Sequence, residues 1–587
     1  MSLGDFLDER TGYRKLTREL LDEPVHGGAR WAYVWGSALT LSFVVQAVTG
    51  LLLMTAYQPS ATTAWSSVMY ISHELRAGWL IRGLHHYGAQ AMVVLLGAHL
   101  GQTALYGAYK KPRELNWLLG LALMGLTLAL ALTGYLLPWD QKGYWATRVA
   151  TNIAGSLPLA GAAIQRALLG GADYGHLTLT RFYALHVGLL PALLVLLLAG
   201  HVALFKRHGV TAREGAVAAR TEPFYPRQLG RDLAVGLVVL AALFALTLRH
   251  HGAPLDAPAD PASDYPARPE WYFLALFELL KFVPGDIEWM AAVGIPLALG
   301  GYLIALPFLD REPSRRLRPR LLLLAPLALA FVAAAALTSS SLLADAGDSG
   351  YQAARVHSDA RAARAVELAR RGVPPEGPLA MLAADPETRG PELFAQRCAS
   401  CHRLGTLGPS ADKLTAPTLD GFGTERFVLA LLDDPDAPEL FGKTPFKGMM
   451  VSFTRPPADP ALAADFVPMP LEDRTAIAKF LAAEARGTPL PGSRGEILIK
   501  QHCTSCHRFD HNPPLDESSL GPELRGWGSL AWTTAHLANP GSGASYPQGA
   551  MAKDLEGHMP AFEEELSPAE LSLLASWTLN EAARVAP

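Results

Sequence analysis

Seven long apolar runs dominate the first 340 residues, near 33–57, 79–107, 115–137, 182–205, 230–249, 287–309 and 320–338. Each matches the length of a transmembrane helix, which needs about 20 predominantly apolar residues. Beyond residue 340 the long runs stop and ordinary soluble sequence begins. The pattern predicts an all-α protein: a transmembrane helical bundle followed by a soluble helical region.

The charges between the runs set an orientation. Arg10, Arg14, Lys15, Arg18 and Arg30 precede the first run, and Lys110, Lys111 and Arg113 follow the second. Lys206, Arg207, Arg213, Arg220, Arg227 and Arg231 lie between the fourth and fifth; Arg311, Arg315, Arg316, Arg318 and Arg320 lie between the sixth and seventh. With seven spans all these loops fall on one side, which the positive-inside rule makes cytoplasmic. The acidic loop 250–286 and the chain after span seven then fall outside.

Two of the apolar runs carry histidines. His85 and His99 stand fourteen apart in the second, and His186 and His201 fifteen apart in the fourth. Ionisable side chains inside a membrane helix are costly and need a reason to be there. At ~100° and 1.5 Å per residue, fourteen residues return to within about 40° of the same direction, roughly 21 Å along the axis. His86 would stand about 140° from His99 on the same arithmetic and is the poorer candidate. Two such helices suit two stacked haems, each iron taking one imidazole from each helix; the bland alternative is four satisfied core histidines. Gly36 and Gly50 in the first run, and Gly120 and Gly134 in the third, repeat the fourteen-residue spacing. A missing side chain lets a flat macrocycle approach the backbone, although small residues also serve helix packing in membranes.

The chain has 587 residues, half of them hydrophobic, and a formal charge of −4. No basic patch with interleaved aromatics points to nucleic acid. The N-terminal stretch lacks the apolar core of a signal peptide, so export of the tail is expected to depend on the spans. All four cysteines lie in two C-x-x-C-H motifs, Cys398–His402 and Cys503–His507. In such motifs two thiols bond the haem vinyl groups and the histidine takes the iron.

The tail reads as two repeats offset by 105 residues, with Gly390 and Gly495 each eight before the first cysteine. Pro417-Thr-Leu-Asp-Gly421 echoes Pro522-Glu-Leu-Arg-Gly526. Two small class I cytochrome c domains are expected, 386–487 and 488–587, tethered by a linker over 341–385 with one short helix. For the sixth iron ligands, Met559 is the candidate in the second repeat and Met450 in the first, with Met449 and Met469 as rivals.

The runs RGLHHYGAQ, YGAYKKPRELNW, GYLLPWDQKGYWA, LTLTRFYALH and PEWYF resemble the cytochrome b of quinol:cytochrome c oxidoreductases. The fifteen-residue histidine spacing and the seven spans resemble the short plastid and cyanobacterial type, with its two polypeptides fused. The resemblance covers roughly residues 10–340. It implies a four-helix dihaem b domain over 1–215 and a three-helix domain over 216–340. It also implies oxidation of a membrane quinol at an outer site, coupled to proton translocation. One electron passes to a separate Rieske iron–sulfur protein and on to the c haems, the other to the two b haems.

Glu270, in the Pro269-Glu-Trp-Tyr272 motif, then takes a quinol proton, with Tyr272 as a second polar contact and the loop 138–165 as the other wall. The bland alternative is an interfacial aromatic cluster. Arg82 is a candidate partner for a haem propionate, or a snorkelling arginine. Arg231 and Asp232 loosely match an inner quinone contact, or form an ordinary charged membrane boundary. The plastid type attaches a further haem through a cysteine; the matching position here is Val34, so no covalent haem is expected there. A homodimer in a bacterial cytoplasmic membrane, and a downstream cytochrome c or terminal oxidase, complete the expectation. The rivals are a quinone-reducing anchor fed by the c haems and a non-catalytic electron conduit.

Overall fold

The computed structural model describes residues 2–212, 214, 220–457, 463–514, 521–547 and 559–586. The chain divides into two compact units, Met1–Leu379 and Ala380–Pro587.

In the first unit each apolar run forms a helix: α1 (Trp35–Met54), α2 (Gly78–Tyr106), α3 (Glu114–Tyr135), a surface helix α4 (Gln141–Gly155), then α5 (His176–His208), α6 (Arg227–Arg249), α7 (Met290–Leu309) and α8 (Leu317–Gly347). Six of these are long and apolar enough to cross a membrane. The seventh expected span, α2, has the length, 29 residues, but carries Arg82, His85, His86, Gln90 and His99. Those polar residues lower its hydropathy.

Within the bundle α1 packs on α2, α3 on α5, and α6 on both α1 and α2. One turn of α5 is widened, over Ala184–Leu189, just before Pro191. Proline has no N–H and crowds the carbonyl four residues back; a wide π-type turn relieves that crowding by taking in one extra residue.

On the side of the basic loops, Asp310 accepts from Lys110 Nζ at 2.5 Å, Tyr109 Oη at 2.5 Å and Arg320 Nε at 3.1 Å. This cluster ties the α2–α3 loop to the ends of α7 and α8, and Arg320 is fully buried. On the same side a two-stranded antiparallel ribbon joins Pro24–His26 to Thr221–Pro223.

The expected tether over 341–385 is more ordered than its composition suggested. Helix α8 runs on to Gly347, and α9 (Ser349–Ala369) packs back on the first unit. Arg268 grips Asp345 at 2.8–3.0 Å and Arg361 pairs with Asp260 at 3.2 Å. Arg355, Arg364 and Arg371 pair locally with Asp359 and Glu367, while the two pairs that tie the segment down have partners far off in sequence.

The second unit contains α10 (Pro386–Arg397), α11 (Glu425–Asp433), α12 (Leu471–Ala485), α13 (Arg494–His502), α14 (Leu530–Ala538) and α15 (Pro568–Arg584). The two repeats do not fold side by side as 386–487 and 488–587. The first helix of each repeat packs on the last helix of the other, α10 on α15 and α13 on α12. A Cβ at Gly390 would lie 2.3 Å from the Trp577 ring, and one at Gly495 2.7 Å from Phe480 Cβ. Connectivity supplies the reason. Only residues 486–493 join α12 to α13, and so short a link makes consecutive helices antiparallel neighbours. That leaves α10 to pair with α15.

Candidate functional site

The four glycines expected along two helices each face one of the four histidines. A Cβ on Gly50 would lie 3.2 Å from His85 Cε1 and one on Gly134 2.5 Å from His186 Cε1. The same measure gives 3.6 Å for Gly36 to His99 and 3.3 Å for Gly120 to His201. The histidines meet in the expected pairs: the rings of His85 and His186 are 6.2 Å apart at 75°, and those of His99 and His201 6.5 Å apart at 76°. Two metal–imidazole bonds of about 2 Å each, plus the two half-rings, fill such a gap. The residues therefore fit a metal held between two imidazoles.

Two threonines that sequence reasoning passed over orient the upper pair. Thr49 Oγ1 donates to the Val45 carbonyl at 2.6 Å and stands 2.9 Å from His85 Nδ1. Thr133 Oγ1 donates to Ala129 at 2.8 Å and stands 3.2 Å from His186 Nδ1. With the hydroxyl proton spent on a carbonyl, the oxygen accepts from Nδ1–H, which leaves Nε2 as the free ligand nitrogen. The Asn116 carbonyl does the same for His201 at 3.0 Å. The repeated pairs Thr49-Gly50 and Thr133-Gly134 were the available signal.

Arg82 stands on α2 three residues before His85. Its guanidinium donates to the carbonyls of Ala253 at 2.8 Å and Pro254 at 2.6 Å, and to Ser72. It braces the start of the 250–286 loop. Val34 is buried at the foot of α1.

Glu270 is buried, and its Oε1 accepts from Lys142 Nζ at 2.7 Å. Lys142 lies on α4, so the segment expected as the opposite wall reaches the carboxylate. Backbone bonds zip the two loops together, Gln141 N–H to Ala257 and Ala259 N–H to Trp139. Asp140 caps α4 through Gly143 N–H at 2.8 Å and reaches Asp256 N–H at 3.3 Å; burial raises its carboxyl above the usual range. Tyr272 stacks edge-on between Trp271 and Phe273.

At the other end, Arg231 joins Arg30, Arg220, Arg227 and Glu222 around a cavity of about 450 Å³ beside the two-stranded ribbon. Asp232 accepts from Gln228 at 2.8 Å and does not line it.

In the second unit the two C-x-x-C-H motifs are built alike. Cys398 and Cys503 are buried, Cys401 and Cys506 exposed. Burial pushes the Cys398 and Cys503 thiols up to about 12. His402 Nδ1 stands 2.8 Å from the Pro417 carbonyl and His507 Nδ1 3.2 Å from that of Pro522. The echoing prolines therefore fix each ring with Nε2 free. The candidate sixth ligands lie with the opposite motif from the one expected. Met559 packs in the cluster around Cys398, while Met450 and Met469 pack in that around Cys503; Met449 is exposed.

Comparison with known proteins matches these regions one by one. Residues 20–209 match the family model "Cytochrome b/b6/petB", residues 258–347 "Cytochrome b(C-terminal)/b6/petD", and residues 491–577 "Cytochrome C oxidase, cbb3-type, subunit III". A cytochrome bc complex cytochrome b subunit of Chlorobaculum thiosulfatiphilum is 37% identical over 298 residues, half of this chain and 69% of that protein. A menaquinol:cytochrome c reductase cytochrome b subunit of Bacillus subtilis is 38% identical over 215 residues, 35% of this chain and 96% of that one. A solved structure described as a hyperthermophilic respiratory Complex III is 29% identical with a TM-score of 0.53, covering 60% of this chain and 93% of its own. The chain belongs to the cytochrome b family of bc-type complexes, with the b6-like and C-terminal parts in one polypeptide and a cytochrome c extension behind them.

Proposed function

We propose that this chain is the quinol-oxidising subunit of a bc-type complex, with Glu270 as the outer-site proton acceptor. The supporting observation is the part-buried Glu270–Lys142 pair, beside the two backbone bonds that join the 138–165 and 250–286 loops. A quinol must lose two protons as it loses two electrons. A carboxylate within hydrogen-bond reach of a phenolic proton is suited to accept one, and Lys142 holds that carboxylate aimed until a substrate hydroxyl competes for it. Tyr272 shapes the wall beside it.

His85 with His186 and His99 with His201 hold two b-type haems; Cys398, Cys401 and His402, and Cys503, Cys506 and His507, hold two c-type haems. When bound, these groups supply the one-electron carriers that divide the two electrons of the quinol. No cysteine remains for an iron–sulfur cluster, so a Rieske protein is a separate partner. The basic loops lie in the cytoplasm, the C-terminal unit lies outside, and Arg231 contributes to an inner quinone site. The assembly is a homodimer delivering electrons to a downstream cytochrome c or oxidase.

The test is quinol-driven reduction of the purified complex, read at the b and c bands with and without its Rieske protein. Joint reduction of b and c only with Rieske protein present, blocked by an outer-site inhibitor, is expected. Reduction of b without it, or only from reduced c, would instead indicate a conduit or a reductase anchor. Glu270→Gln is expected to slow quinol oxidation by 10²-fold or more, on the scale of general-base loss, with every haem spectrum intact.

A further inference from the structure

We propose that the two c haems are ligated crosswise. Met559 of the second repeat is the sixth ligand of the haem on Cys398 and Cys401, and Met450 of the first repeat that of the haem on Cys503 and Cys506. This rests on the reading that each C-x-x-C-H motif carries a haem.

Two separate apolar clusters make up the second unit. One holds Cys398, Leu393 and Leu404 from the first repeat with Leu537, Phe562, Leu574 and Trp577 from the second, and Met559 packs on it. The other holds Cys503, Ile499 and Phe509 from the second repeat with Val428, Leu432, Ile477 and Phe480 from the first, and Met450 packs on it. A haem is a large apolar disc whose sixth ligand must reach over its free face. Each disc therefore meets the sulfur in its own cluster.

The two methionine loops are equivalent in backbone terms, which makes the assignment specific. Phe453 N–H donates to Leu432 at 2.9 Å, and Phe562 N–H donates to Leu537 at 3.2 Å. Met450 and Met559 each precede that phenylalanine by three residues. Polar contacts cross between the repeats in the same sense. Arg389 pairs with Glu570 at 3.1 Å, and Arg397 with Glu565 at 2.6 Å. Arg494 pairs with Glu472 at 2.8 Å, and Arg525 with Glu484 at 2.7 Å. Gly421 N–H donates to Ala582, and Gly526 N–H to Glu484 Oε2. The arrangement is an exchange of like elements between two copies, as in domain swapping, carried out inside one chain.

The pairing is tested in the full-length complex with one c haem removed at a time. With Cys503→Ser and Cys506→Ser, the remaining c haem is that on Cys398. Its oxidised form should show the sulfur–iron charge-transfer band. Met559→Ala should abolish that band and lower the midpoint potential, since a thioether ligand raises it, while Met450→Ala leaves both unchanged in this background. With Cys398→Ser and Cys401→Ser the roles should reverse. The opposite pattern, or loss of the band through Met450 in the first background, overturns the proposal.

A second measurement needs no haem deletion. A protease site placed in the exposed link at 487–492 is cut in the otherwise wild-type complex. The 95-residue fragment 493–587 should stay bound with its haem under native conditions and leave only on denaturation. Native release overturns the crossing. Covalent haem content is counted separately: a wild-type chain with other than two c haems refutes the cofactor reading, whereas two haems with within-repeat ligands refute only the crossing.

Discussion

Each of the four histidine-facing glycines of the first unit is distinguished by how close its missing Cβ comes to the ring. The added methyl at Gly134 would fall 2.5 Å from His186 Cε1, inside any tolerable contact, while at Gly36 it would sit 3.6 Å from His99, an ordinary one. Gly134→Ala should therefore cost the upper b haem, halving b-band absorbance at unchanged c-band absorbance. Gly36→Ala should retain nearly all of it. Gly50 and Gly120, at 3.2 and 3.3 Å, should fall between. Equal losses at all four positions, read in the same spectra, would contradict this ordering.

In the second unit the telling carboxylate is Glu496. It accepts from Gly492 N–H at 2.6 Å, from Arg525 at 2.8 Å and from Lys500 at 3.0 Å. The Gly492 bond first, then the two cations, hold it at about 2, against an ordinary 4.5. A carboxylate held low in the folded state stabilises fully above its unfolded value and loses that contribution as pH falls through the folded one. The unit should thus weaken between about pH 4.5 and pH 2. Thermal unfolding followed at the c haems should show that slope, and Glu496→Gln should flatten it while lowering stability at pH 7.

At the scale of elements, two helices hold their histidines at matched depths with different spacings. The regular α2 uses fourteen residues and α5 uses fifteen. The wide turn at Ala184–Leu189 takes up the extra residue, and the two pairs meet at similar ring separations, 6.2 and 6.5 Å.

The loops that join elements matter as much as the spans. Asp310 receives Lys110, Tyr109 and Arg320, all within 3.1 Å. Removing one partner of a buried ion cluster leaves charge uncompensated at a cost of about 3–5 kcal/mol. Asp310→Ala should accordingly lower the denaturation midpoint of the membrane unit sharply. Asp310→Asn, which keeps one acceptor, should fall between. An unchanged midpoint in Asp310→Ala would remove the cluster from the list of what holds α7 and α8 to the α2–α3 loop.

Across the whole molecule, what repeats locally was legible and what depends on partners distant in sequence was not. The spans, the histidine pairs and their glycines follow from periodicity, because depth and direction along a helix are fixed by residue count. The C-x-x-C-H motifs are local chemistry and were equally plain. The carbonyls that Arg82 holds were not legible, because they lie about 170 residues away. The stretch 341–385 read as a tether because Asp260 and Arg268 lie outside it. The exchange of α10 and α13 was hidden for a deeper reason. Each repeat carries the same helix faces and the same turn residues whether it closes on itself or on its neighbour. Only the shortness of the 486–493 link discriminates between them.

That exchange also sets an order of events during synthesis. The helix that covers Cys398 is α15, which begins at Pro568, so the 165 residues 403–567 must follow the first motif before that helix even starts. At about 5–20 residues per second that interval is roughly 10–35 s. The first motif is thereby left outside a closed core while the second is still being made. A stop codon anywhere before α15 would leave that first haem without half of its walls.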